Sequence, residues 1–286
     1  MRITSILFLL LILSGCKKSE LVTVTGNQAP PDGTIQSVIV ENYINRSYIL
    51  VLGREPSASE LLTSKSSLLG NNLDSVSRMQ FLSVLTNAPD YLPHLYELNK
   101  IDLLNNVDTV EFLNFIAIFD FYLQDTTYAF QWPFLTVEKD RLVQMLNGYS
   151  QFITGTISLA ELQRRMCNNY VYDQINMGTS NFVLSTFSLL INRNPTRSEL
   201  TSGISMADGN NAILFLTAGN SKNDYLTILT GGNNYFEGQV ARLYIRFLNR
   251  APDTNEMVDA TNLYATTGQY SSVLKKILST NEFIGL

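Results

Sequence analysis

The chain of 286 residues is short of the residue types that most enzymes use. It has one histidine, His94, so a histidine-based triad or a multi-histidine zinc site is hard to build. It has two cysteines, Cys16 and Cys167. They form no Cys-x-x-Cys pair and no haem-attachment motif. No P-loop is present, because Gly231-Gly232-Asn233-Asn234 lacks the lysine, and no Gly-x-Gly-x-x-Gly occurs. Cofactors are expected to be none. Only 16% of residues are charged against 45% hydrophobic, and no basic stripe exists, which argues against nucleic acid. Sustained period-two alternation is also missing, so the expected class is all-α, with roughly twelve helices from the capped apolar runs.

What is present is a pattern written three times. It reads Leu52-Gly53-Arg54-Glu55-Pro56-Ser57, Ile191-Asn192-Arg193-Asn194-Pro195-Thr196 and Leu248-Asn249-Arg250-Ala251-Pro252-Asp253. An apolar run at helical spacing precedes each copy. Ile44, Val183 and Val240 share one column, and Tyr48, Phe187 and Tyr244 another. The weakest column holds Ser47, Thr186 and Leu243, which predicts a narrower stripe in the first two copies.

Gly53, Asn192 and Asn249 are types that tolerate the left-handed conformation closing a helix. The prolines Pro56, Pro195 and Pro252 forbid continuation. Ser57, Thr196 and Asp253 follow, each with a glutamate three residues on (Glu60, Glu199, Glu256), which predicts capping boxes. The unit is helix, sharp turn, helix. Arg54, Arg193 and Arg250 fall just past a helix C-terminus, where a guanidinium can bind unpaired carbonyls; the alternative is a ligand-binding arginine. Each copy closes on an aromatic, at Tyr91, Tyr235 or Phe283.

The Leu-Gly/Asn-Arg-x-Pro turn after an apolar helix resembles helical modules of secreted and envelope-associated bacterial proteins, and phycobilisome linker domains carry a similar turn. The resemblance implies a helical repeat-like array of helix-turn-helix units and transfers no activity. Units are expected at about 37–92, 180–236 and 238–286, with 93–179 either a degenerate copy or an insertion.

The N-terminus carries the strongest functional signal. Arg2 precedes an apolar core from Ile6 to Leu13 that is too short to span a bilayer permanently. Leu13-Ser14-Gly15-Cys16 resembles a bacterial lipobox. That resemblance implies a signal peptide over 1–15, lipid (palmitate among it) on Cys16, and, with Lys17 rather than aspartate next, an outer-membrane lipoprotein. Residues 16–36 then form the lipidated cysteine and a flexible tether with Gly26, Pro30, Pro31 and Gly33.

Two further stretches stand out. Phe112 to Leu123 is an aromatic-rich helix opened by a capping box at Asp108 and Glu111, with Tyr128, Phe130, Trp132 and Phe134 beyond it. Core packing explains part of it. Phe121, Tyr122, Tyr128 and Trp132 are the candidate binding surface, because 120–135 reads as the least regular part of the body. Arg164 to Asp173 mixes charge, amides and tyrosines behind another capping box at Ser158 and Glu161, as a buried polar network or a ligand site would.

The expected function is a non-catalytic envelope lipoprotein that holds a partner protein or glycan at the outer membrane. The alternative is a carboxylate-dependent glycan hydrolase drawing on Glu111, Asp120, Asp125, Glu138 or Asp140. It requires two carboxylates in one groove, one with a raised pKa.

Overall fold

The computed structural model describes residues 33–286, with side chains from Ser37 on. The lipobox, the signal peptide and most of the tether lie outside the described residues. The body is all-α. Among the described residues it has fifteen α-helices, more than the dozen or so expected, the shortest being α8 (Tyr170–Ile175) and α15 (Asn281–Ile284). One small hairpin, β1 (Ala212–Leu214) with β2 (Thr217–Gly219), interrupts the helices.

The three turns fold as their residues dictate. Helix α1 (Gly33–Leu52) ends at Gly53, α12 (Asn233–Leu248) at Asn249, and α9 (Thr179–Thr186) runs through a π-helical segment, Phe187–Ile191, to Asn192. Gly53, Asn192 and Asn249 have φ of 73°, 57° and 54°, the left-handed region. Full capping boxes then open α2 (Ala58–Gly70), α10 (Arg197–Ala207) and α13 (Thr254–Thr267). The two other expected boxes are half-made. Asp108 accepts from the Val110 amide and Ser158 from the Glu161 amide, and neither glutamate reaches back. Glu111 stays exposed, and Glu161 is taken by Arg164 and Arg165.

The stripes are wider than the sequence suggested. Ser47 and Thr186 are as fully buried as Leu243. Thr186 satisfies its hydroxyl on the Phe182 carbonyl and on Tyr225 Oη, 2.6 Å away, so a polar residue fills an apolar position at little cost.

The third helix of each copy is α3 (Ser75–Thr86), α11 (Lys222–Thr230) or α14 (Tyr270–Leu278). The closing aromatics Tyr91, Tyr235 and Phe283 are all buried. Helix α4 (Tyr91–Leu104) reaches a left-handed Asn105 over the same span that separates Tyr235 from Asn249 in α12. Asn106 and Asp108 stand where the arginine and proline would be. Then come α5 (Thr109–Gln124), α6 (Trp132–Ile153), α7 (Leu159–Cys167) and α8. Five helices, α4 to α8, thus fill 91–175.

The array turns back on itself. Phe283 of α15 packs edge-on against Tyr43 of α1, with ring centroids 6.0 Å apart, and its carbonyl accepts from Arg46 at 2.8 Å. Arg78 of α3 reaches Asn281 at 2.8 Å. Tyr172 of α8 meets Phe182 of α9 in the same edge-on manner, at 5.9 Å. Phe182 and Tyr43 occupy equivalent positions, so α8 seats against α9 as α15 seats against α1.

Candidate functional site

The motif arginines do not bind helix C-terminal carbonyls. Each grips the glutamate of the capping box that follows it. Arg54 meets Glu60 at 2.8 and 2.9 Å, Arg193 meets Glu199 at 2.7 and 2.8 Å, and Arg250 meets Glu256 at 2.6 and 2.7 Å. One nitrogen also reaches the carbonyl of the residue after the arginine (Glu55, Asn194, Ala251). The other face of each guanidinium lies over the preceding helix's aromatic, Tyr48, Phe187 or Tyr244, at 5.4–5.6 Å. A planar five-donor group is needed for this clamp, which is why arginine rather than lysine recurs. Arg54 adds Asp90, and Arg250 adds Glu282. These contacts make the arginines structural parts of the turn, with 36–41% of each side chain left exposed.

The aromatic stretch divides into two layers. Phe112 and Phe119 are buried and Phe115 half-buried, so that face of α5 is core. The region 120–135 is regular after all: a 3₁₀ turn (Thr126–Gln131) leads straight into α6. Of the four candidates, Tyr122, Tyr128 and Trp132 are half-buried. Tyr122 and Tyr128 meet at 4.6 Å, and Trp132 Nε1 donates to the Tyr122 carbonyl at 3.1 Å. Phe121 is 67% exposed, and so are two neighbours left out of the candidate set, Phe130 at 79% and Phe134 at 57%. Val110 and Leu113 of α5 and Val137 of α6 are exposed as well. The α5–α6 hairpin thus carries apolar side chains outward on a cross-braced aromatic base.

Arg164 to Asp173 is a packing network. Arg164 binds Glu161 and Asn223, Arg165 binds Glu161 and Gln151, and Asp173 pairs with Lys222 of α11. Asn169 caps α8. Cys167, fully buried beside them, has its thiol pushed up to about 12 by that burial, which leaves it no thiolate at neutral pH. His94 is half-buried against Gly53, where a Cβ would meet its Nδ1 at 2.4 Å. Burial holds its pKa below the ordinary value.

The candidate carboxylates are scattered. Asp120 pairs with Lys139, Glu138 with Arg141, and Asp125 accepts from the Thr127 hydroxyl and amide, which hold its pKa low. Glu111 and Asp140 are exposed. None of the five lines the cleft that α4 and α12 form. Among the described residues every carboxylate displaced from its ordinary pKa is displaced downward. No described cluster of His, Cys, Asp and Glu could hold a metal, and no described helix is long and apolar enough to cross a membrane.

That cleft, about 350 Å³, opens between α4 and α12, with the π segment, α7 and Tyr270 of α14 around it. Its floor is a chain of buried amides. Gln163 Nε2 donates to Asn99 Oδ1 at 2.7 Å and to Gln239 Oε1 at 3.3 Å, and Gln163 Oε1 accepts from Tyr235 at 2.7 Å. Gln239 also donates to the Leu190 carbonyl at 3.0 Å, and Arg242 donates to the Leu189 carbonyl. These are carbonyls of the last turn before Asn192, where the helix itself supplies no donors, so α12 satisfies the end of the π segment from outside. Arg242 also pairs with Asp102 at 2.7 Å.

Sequence reading missed this site. The signal was an amide in an apolar column: Gln239 aligns with Tyr43 and Phe182, and Asn99 sits between Leu95 and Leu103 on one stripe. Comparison with protein-family models, with curated proteins and with solved structures finds no match.

Proposed function

We propose that this chain is a non-catalytic outer-membrane lipoprotein, lipidated at Cys16, whose helical body docks a partner at the envelope. The observation that carries the docking role is the α5–α6 hairpin, with Phe121, Phe130 and Phe134 turned outward. Three large apolar rings held out on one hairpin cost solvation unless something covers them. Phenylalanine offers no hydrogen-bonding group, and the one indole N–H nearby is spent on Tyr122. That chemistry favours a protein partner over a glycan. The candidate carboxylates are scattered, paired or exposed, and lie outside the cleft, which favours docking over glycoside hydrolysis, a reaction that needs two carboxylates in one groove.

The test is affinity isolation of the tagged chain from gently solubilised envelope, with Cys16→Ala and Phe121→Ser/Phe130→Ser variants alongside. A stoichiometric envelope protein, identified by mass spectrometry and lost in both variants, is expected. Retention of that protein by the double-serine variant, with an unchanged melting curve, would remove the hairpin from the reading. Recovery of bound saccharide in its place would redirect the reading to a glycan.

A further inference from the structure

We propose that the cleft between α4 and α12 is a binding site for a small monoanionic carboxylate whose body carries hydroxyl or amide groups. The charge count points to one negative charge. Arg242 and Arg246 lie one turn apart on α12, and both line the cleft. Arg242 is neutralised by Asp102 and further held by the Leu189 carbonyl. Arg246 makes no hydrogen bond or ion pair with any described residue. One guanidinium therefore faces the cleft uncompensated, with a fork of donors that matches a carboxylate.

The floor supplies the neutral contacts. Gln163 has spent both amide N–H groups within the chain, whereas Asn99 and Gln239 have each given one of two. Asn99, Gln239 and Tyr270, whose hydroxyl has no hydrogen-bond partner among the described residues, line the same cleft as the two guanidiniums. The leucine walls, Leu95 and Leu189 among them, give the apolar contact that a small-ligand pocket of this volume provides. A sugar acid and an acylated dipeptide with a free C-terminus share this chemistry.

The site goes beyond the docking role and is independent of the hairpin, so it can be tested separately. The full-length chain is titrated calorimetrically with D-galacturonate and with N-acetyl-Ala-Ala, each against its uncharged counterpart, D-galactose and N-acetyl-Ala-Ala amide. At least one acid is expected to bind saturably and roughly tenfold or more tighter than its counterpart. Arg246→Met should weaken that binding by about ten- to a hundredfold, while the fold is unaffected because Arg246 is exposed. Phe130→Ser should leave it unchanged. Saturation by one acid alone identifies the source. Failure of both acids to saturate by ~10 mM, or equal binding by Arg246→Met or by the neutral counterparts, would overturn the proposal.

Discussion

Gly238→Ala is the most direct test of the packing that builds the cleft. Gly238 lies in the middle of α12, where intrinsic propensity alone makes alanine better than glycine by about 1 kcal/mol. The tertiary structure reverses that expectation. A Cβ at this position would meet the Ile191 Cα, carbonyl carbon and oxygen at 2.6 Å each. These are backbone atoms at the end of the π segment, beside the left-handed Asn192, and no rotamer change relieves the contact. Overpacking of this kind costs about 1–3 kcal/mol. Relief by shifting α12 stretches the Gln239 bond to the Leu190 carbonyl, worth ~1 kcal/mol more. After the propensity gain, the net loss is about 1–3 kcal/mol, a fall in Tm of roughly 3–10 °C for a body of this size. The assay is paired urea and thermal unfolding of Gly238→Ala and Gly70→Ala. Gly70 ends α2 with nothing within 4 Å of its virtual Cβ, so its variant should be neutral or slightly stabilised. If Gly238→Ala matched or exceeded the wild type as well, α12 could not be seated on Ile191, and the cleft geometry would fall with it.

The clamps should differ among copies. Arg250 ties Glu256 to Glu282, whereas Arg193 holds Glu199 alone. Arg250→Ala is therefore expected to cost about 1–2 kcal/mol and Arg193→Ala about 0.5, read from urea midpoints; equal costs would mean that the second carboxylate contributes nothing. Acid sensitivity follows from the same contacts. Glu60 and Glu199 are lowered to about 2, chiefly by Arg54 and Arg193, against ~4.3 in an unfolded chain. As pH falls, the unfolded state takes up protons first, so their contribution is complete above pH ~4.5 and is lost progressively toward pH ~2. Urea midpoints measured from pH 6 to 2 should show this decline, and a Glu60→Gln/Glu199→Gln variant should show a shallower one.

Much of the architecture is a local matter and was legible in the chain. A left-handed cap needs Gly or Asn, a stop needs Pro, and a capping box needs Ser, Thr or Asp with Glu three residues on. All of these are satisfied within a few residues, so Gly53, Asn192 and Asn249 announced their turns. The all-α class follows likewise from helical spacing without strand alternation. Long-range partners were not legible. The arginines were placed at the right turn, yet their true acceptors lie across it, in the next helix and, for Arg250, at Glu282. The aromatic helix is legible, but which rings face outward depends on how α6 packs against α5, and that leaves Phe130 and Phe134 exposed as well as Phe121.

The α4–α12 cleft shows the division most clearly. Asn99, Gln163 and Gln239 lie far apart in sequence, each an unremarkable amide on its own helix. Local chain chemistry specified the helices that carry them. Only the tertiary structure, by turning the array back on itself and bringing α4, α7 and α12 together, made them one network, because burial forces separate polar groups to satisfy one another.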